Sequence, residues 1–242
     1  VRAETRHQLK QDAFSRVTIG AAEKTAHWSV EHRNTLAMAA VAVVVVVALV
    51  AGGWFYLSKQ DEKASFDLSL AVRTLDTPLR AAGTPAQPDS PSFASVKERA
   101  DAAHKQFQAI VDKYPHTRTA DMAHYFLGVT SENGGDHAAA EKDFKAVSSS
   151  GNKELASVAK LALASLYVTT NRPKDAIAIY QELINQPTVS VSKVTVQLQL
   201  AEVYQANNQP IDAKHLYEQV KKDNPSGGDA AQIATQKLAE LK

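Results

Sequence analysis

Histidine is the side chain in this 242-residue sequence with the clearest capacity for acid–base or metal chemistry, and four of the eight fall between residues 104 and 137: His104, His116, His124 and His137. A zinc protease helix carries two histidines one turn apart with a glutamate between them, and none of these four is so paired. The stretch "NGGDH" (133–137) has glycines but lacks the preceding strand and the lysine of a phosphate-cradling loop. "SSSGNK" (148–153) reads as a serine-rich turn. There is no cysteine, which excludes disulfides, thiolate nucleophiles and thiolate metal sites. A nucleic-acid interface needs a positive face, but after residue 35 the chain carries 21 basic and 22 acidic side chains, evenly mixed. No enzyme activity, cofactor, metal, nucleic acid or small-molecule substrate is expected, so function must reside in surfaces and in the elements that shape them.

The most strongly marked element is "LAMAAVAVVVVVALVAGGWFYLSK" (36–59). No charged side chain occurs between Arg33 and Lys59, and the 22 residues from Leu36 to Leu57 match, at about 1.5 Å per residue, a hydrocarbon core of roughly 30 Å. Five consecutive valines favour a strand in water, but in lipid every backbone group must be bonded within its own segment, so a helix is predicted. Trp54, Phe55 and Tyr56 are placed for an aromatic belt, with Lys59 beyond them and Arg33 at the other end. The run is longer than a signal-peptide core and starts after 35 residues, so it is read as an uncleaved anchor. Lys/Arg counts within 20 residues of either end tie at three. The tail as a whole has six basic and four acidic residues, which places it inside and the long C-terminal part outside. Within the tail, Thr5 to Gln8 forms a capping box, and Leu9, Ala13, Phe14, Val17 and Ala21 share one helical face, against the alternative of a solvated tail.

Beyond the apolar run the chain repeats. The triplets Ala103/Phe107/Ile110, Ala140/Phe144/Val147, Ala176/Tyr180/Leu183 and Ala213/Tyr217/Val220 each place alanine, aromatic and aliphatic residues at offsets of four and three, one face of a helix. Successive alanines are 37, 36 and 37 residues apart. Twelve residues before each of the last three lies a small residue, Gly128, Ala164 or Ala201, inside a second helical pattern. A small residue there lets two antiparallel helices approach closely. "TVSVSKVTV" (188–196) alternates like a strand, but the Leu200, Ala201, Tyr204 pattern follows in register, so it is read as a loop entering a helix. A first unit is split: "KASFDLSLAVRTLDTPLRAA" (63–82) supplies one helix, continuing from the apolar run, and a helix capped by Ser95 and Glu98 supplies the other. Between them Pro85, Pro88 and Pro91 recur every three residues, as in a polyproline ligand or a plain surface linker. "GGDAAQIATQKLAELK" (227–242) is predicted to be a terminal capping helix.

With Leu127–Gly128, Leu163–Ala164, Leu200–Ala201, Tyr167, Tyr204, Pro115 and Pro225 in place, the chain resembles the tetratricopeptide repeats. It departs from them at the early tryptophan position, which holds His124, Lys160 and Gln197, at Ser131, and in its longer period. With the apolar run and the tail charge read as above, the expectation is an all-α chain: residues 1–35 a cytoplasmic tail, 36–57 a transmembrane helix, and 58–242 a tetratricopeptide-repeat-like α-solenoid of about three to four helix pairs with a C-terminal cap. In the register it implies, a partner-binding groove is lined by Met122, Tyr125, Val129 and Glu132, by Val158, Leu161, Ser165 and Val168, and by Thr195, Leu198, Glu202 and Gln205. Those positions hold no lysine or arginine, unlike a clamp for an acidic C-terminus, and suit an unfolded or helical apolar segment.

Tail, single span and divergent repeats in this order resemble the YfgM-like family of bacterial inner-membrane proteins, ancillary subunits of the SecYEG translocon. The resemblance implies a periplasmic repeat domain that associates with the translocon and with a membrane-anchored chaperone of the prolyl-isomerase class. Two further readings stay open: an assembly or structural subunit of a large respiratory or photosynthetic membrane complex, and an envelope-coordination factor.

Overall fold

The structure, a computed structural model, describes residues 32–81, 83–84, 92–225 and 227–241. The tail positions singled out above and Pro85, Pro88 and Pro91 lie outside the described residues. The chain divides into two compact units at Leu57–Ser58. Among the described residues there are nine α-helices and no β-strand: α1 (Arg33–Asp76), α2 (Val96–Lys113), α3 (Arg118–Gly134), α4 (His137–Ser148), α5 (Lys153–Thr169), α6 (Pro173–Asn185), α7 (Lys193–Ala206), α8 (Pro210–Asp223) and α9 (Asp229–Glu240). Residues 33–57 of α1 are exposed throughout, and α1 is long and apolar enough to cross a membrane.

In the second unit each helix packs against its neighbour in the chain, which gives a solenoid. All four predicted triplets are buried, on α2, α4, α6 and α8 respectively. Their partners α3, α5 and α7 bury Gly128, Ala164 and Ala201. A Cβ placed on Gly128 would lie 2.6 Å from Phe144 Cε1, so the aromatic ring occupies the space that the missing side chain leaves.

The turns within the pairs repeat as faithfully. Gly135, Asn171 and Asn208 take positive φ (86°, 58° and 57°), a conformation that glycine and asparagine tolerate. The next N–H in each case reaches back five residues into the preceding helix: Asp136 to the Ser131 carbonyl at 2.8 Å, Arg172 to Tyr167 at 2.7 Å, and Gln209 to Tyr204 at 2.8 Å. This closure leaves few unpaired carbonyls at the helix end. The second helix then starts from the Asp136 side-chain cap or from Pro173 or Pro210 at its first position. The alternating stretch 188–196 is a tight turn feeding α7: Ser192 caps the helix, and the Glu154 carboxylate accepts the N–H groups of Val189 and Ser190.

The first pair joins residues 58–76 of α1 to α2. Ala64, Leu68 and Ala71, one turn apart along a face, form a core with Ala103, Phe107, Ile110, Ala123 and Leu127. Polar contacts fix the register over long sequence separations. Asp61 accepts from both the Thr119 N–H (2.9 Å) and its hydroxyl (2.7 Å), in the first turn of α3. Asp67 accepts from the Tyr114 hydroxyl at 2.8 Å and from Lys113 at 3.3 Å. Ser95 Oγ accepts the Glu98 N–H at 3.1 Å as expected, but Glu98 Oε2 reaches the Ala94 N–H at 2.6 Å, one residue before the position a capping box uses. At the other end α9 closes the array: Ala231 and Ala234 are buried, and Ala234 joins a cluster with Tyr217, Val220, Ala213 and Ala201.

Replacing Gly128 by alanine relieves a helical glycine, a gain of about 1 kcal/mol, but drives a methyl group into a fully buried ring, which costs about 1–3 kcal/mol. The net change expected for Gly128→Ala is a lower midpoint of thermal unfolding, followed by circular dichroism of the full chain. Ala176→Leu, at another fully buried contact, is expected to lower it further. An unchanged midpoint in both would contradict the helix-pair register.

Candidate partner-binding surface

The predicted groove residues occupy α3, α5 and α7, but they do not form one uniform strip. Tyr125 and Val129 of α3 and Val158 and Leu161 of α5 are half-buried and pack on one cluster, whose centre is Phe144, Leu163, Ala164 and Tyr180. Tyr125 is held by its neighbours, with its ring 5.5 Å from Phe126 and 5.8 Å from Phe144, while Phe126 stacks on Phe107 at 4.9 Å. Met122 and Val168, at 42% and 39% exposed, extend this surface into solvent. Leu198 goes elsewhere. It packs with Ala201, Tyr217, Leu238 and Leu241, in the cluster that α9 completes, so the apolar strip common to α3 and α5 does not continue evenly onto α7. On α7, Thr195 and Glu202 are exposed and Gln205 is half-buried. Ser165 is exposed on α5.

Burial sets the electrostatics of this surface. It raises the Tyr125 hydroxyl above the ordinary tyrosine range, with a further contribution from Glu132, and it raises the carboxyl of half-buried Glu132 as well, against the opposing influence of His137. Tyr180 and Tyr217 are both pushed up to about 12, by burial first and then by the negative charge of Glu202. Glu141 shows the opposite behaviour. Its carboxylate accepts from Lys145 at 2.6 Å, Tyr167 at 2.9 Å and Arg172 at 2.7 Å, and the Lys145 bond leads in holding it below the usual glutamate range. Arg172 also covers the Tyr167 ring at 4.0 Å, so α4, α5 and the turn into α6 are tied at one point. Sequence reasoning had not found this network, since its members are 26 and 31 residues apart.

Among the described residues no group of three or more His, Asp or Glu side chains could hold a metal ion. His104 Nδ1 lies 2.9 Å from the Thr130 hydroxyl, and half-buried His124 faces the packed interior as its repeat position implies. The other two early-tryptophan positions differ. Lys160 pairs with Glu182, whereas Gln197 is fully buried and its amide has no hydrogen-bond partner among the described residues. On the long apolar helix, Arg33 opens α1, Trp54, Phe55 and Tyr56 are exposed, and Lys59 pairs with Glu62 at 3.1 Å.

Antiparallel helix pairs stacked in this way, with an apolar strip on one set of helices, define a protein-interaction scaffold, a class that is typically non-catalytic. The chain belongs to the tetratricopeptide repeat-like domain family, which it matches over residues 26–242. Its fold is similar to the crystal structure of nearly identical tetratricopeptide-like repeats from a Podospora anserina protein assigned as a kinesin light chain. The TM-score is 0.55 at 15% identity, covering 75% of this chain and 85% of that one. No curated protein matches the sequence.

The two glutamates make a paired test. Glu141 has a lowered folded pKa, so its stabilisation is present above the ordinary glutamate value of about 4.3 and lost as pH falls through the folded value. Glu141→Gln is expected to cost about 1 kcal/mol at neutral pH and to flatten the acid limb of the stability curve. Glu132 has a raised folded pKa, so its ionisation lowers stability as pH rises above about 4.3. Glu132→Gln should leave the neutral-pH thermal midpoint unchanged or higher, and a large fall would show that its carboxylate has a structural partner.

Proposed function

We propose that this protein is a single-pass scaffold of the bacterial inner membrane whose repeat domain stands in the periplasm. There it acts as an ancillary, chaperone-associated subunit of the protein-export translocon and helps hand over emerging chains. The observation that carries the reading is the apolar, cation-free strip of Tyr125, Val129, Val158 and Leu161, in a chain that also bears a helix of membrane-crossing length. Such a strip suits the apolar segments of chains that have not yet folded. The partners in this reading are the translocon core and a membrane-anchored prolyl-isomerase-type chaperone. The groove positions Met122, Glu132, Val168, Leu198, Glu202 and Gln205 border the contact, and Arg33, Trp54, Phe55, Tyr56 and Lys59 set the helix in the bilayer.

Topology and partner choice can be tested in turn. Protease added to spheroplasts is expected to remove the chain beyond about residue 60; loss of only the N-terminal tail would invert the orientation. Isolation of the full chain in mild detergent, followed by mass spectrometry, is expected to recover translocon subunits and the chaperone. Leu161→Asp should lose most of that recovery while retaining its helical circular dichroism, whereas Ala178→Asp, at an exposed position on α6, should keep it. Equal recovery by both folded variants would exclude the strip as the contact.

A further inference from the structure

Glu132 continues the strip. On α3 it lies one turn beyond Val129, and its place in the repeat corresponds to that of Val168 on the adjacent α5, a helix that α3 touches directly. Carboxylates elsewhere in this domain are mostly satisfied: Asp61 and Asp67 by Thr119 and Tyr114, Glu141 by two cations, and Glu154 by two N–H groups. Among the described residues, Glu132 and Asp143 are the half-buried acids whose carboxylates have neither an ion pair nor a hydrogen bond. Asp143 stands off the strip on α4, near His124 and His104. Exposed His137, at the start of α4, opposes the effect of burial on Glu132 but forms no ion pair with it. A half-buried carboxylate without a partner costs stability, and that cost is recovered when a cation arrives.

We infer that the α3–α5 strip receives an amphipathic helix carrying a lysine or arginine, its apolar side chains covering Tyr125, Val129, Val158 and Leu161 while the cation seats against Glu132. The inference rests on the reading of the strip as a partner site. Charge selects the cation, because no groove-facing position carries a compensating lysine or arginine. The lack of backbone partners selects the helix. Apart from the Tyr125 and Ser165 hydroxyls and the Glu132 carboxylate, the strip is hydrocarbon and offers no ladder of backbone groups, so an extended segment would leave most of its amides unpaired, whereas a helix satisfies them internally. From Tyr125 to Glu132 is seven residues, or about 10.5 Å along α3, which is also the separation of two residues seven apart on the incoming helix. The basic residue is therefore expected two turns from the main apolar anchor.

The test uses the full chain in nanodiscs of zwitterionic phosphatidylcholine, with empty nanodiscs as background. Three fluorescein-labelled 18-residue helical peptides share leucines at positions i, i+3 and i+4 and differ at i+7, which is lysine, glutamine or glutamate. The lysine peptide is expected to bind about tenfold tighter than the glutamine peptide, and the glutamate peptide weakest. Glu132→Gln should abolish that ranking while leaving the glutamine peptide's affinity unchanged. Leu161→Asp should weaken all three, and Met122→Asp, at a more exposed position, provides the same readout should the first variant unfold. If lysine and glutamine peptides bind equally to the unaltered chain while Met122→Asp or Leu161→Asp still weakens both, the cation is wrong and the strip stands. If no peptide binds, or neither aspartate variant weakens binding, both the strip and its ligand chemistry are overturned.

Discussion

The contact on which the repeat domain depends is an aromatic ring set against the backbone of the facing helix. Phe144 fills the space at Gly128 so closely that a single methyl there would meet it at 2.6 Å. Equivalent contacts, Tyr180 and Tyr217 with Ala164 and Ala201 in the same clusters, recur along the array. A small residue permits the close approach, and the ring supplies most of the apolar area that the approach buries. Because each ring also touches the next pair, stability is shared between neighbours, and the array needs closing elements at its ends. The C-terminal end is closed by α9. At the other end the first pair is secured by residues 58–76 of α1 and by the Asp61 and Asp67 contacts, which place carboxylates on the free N–H of α3 and on the Tyr114 hydroxyl.

The same geometry explains why the apolar strip lies on α3 and α5 and fades on α7. Rings from α4 and α6 reach between the facing helices, leaving Tyr125, Val129, Val158 and Leu161 half-buried on a shared cluster. At α7 the next neighbour is the shorter α9, and Leu198 turns to the cluster that α9 completes. A capped end is therefore bordered by a surface of different character, where Thr195 and Glu202 are exposed. Polar satisfaction is uneven in a corresponding way. Structural carboxylates such as Glu141 and Glu154 are held by several donors, whereas Glu132, on the open strip, is held by none among the described residues. An unpaired, half-buried acid contributes nothing to holding the helices together, which is why it is informative about what the surface meets.

Much of this was legible in the residues alone, because the features concerned are periodic. The four buried triplets, the three small residues, the loop entering α7 and the terminal helix all follow from local spacing, since a helix maps offsets of three and four onto one face irrespective of what covers it. The apolar run of α1 is equally local: its length and lack of charge need no knowledge of the fold. Tertiary structure decided what depends on residues distant in sequence. Asp61 meets Thr119 across 58 residues and Arg172 meets Glu141 across 31, and no periodicity relates such pairs. The shift of the Glu98 cap to Ala94, the departure of Leu198 from the strip and the solitude of Glu132 are likewise matters of distance and burial. Repeat spacing determines which face of each helix is inside, but only the packed neighbours determine whether an outward-facing side chain is covered, paired or left open to a partner.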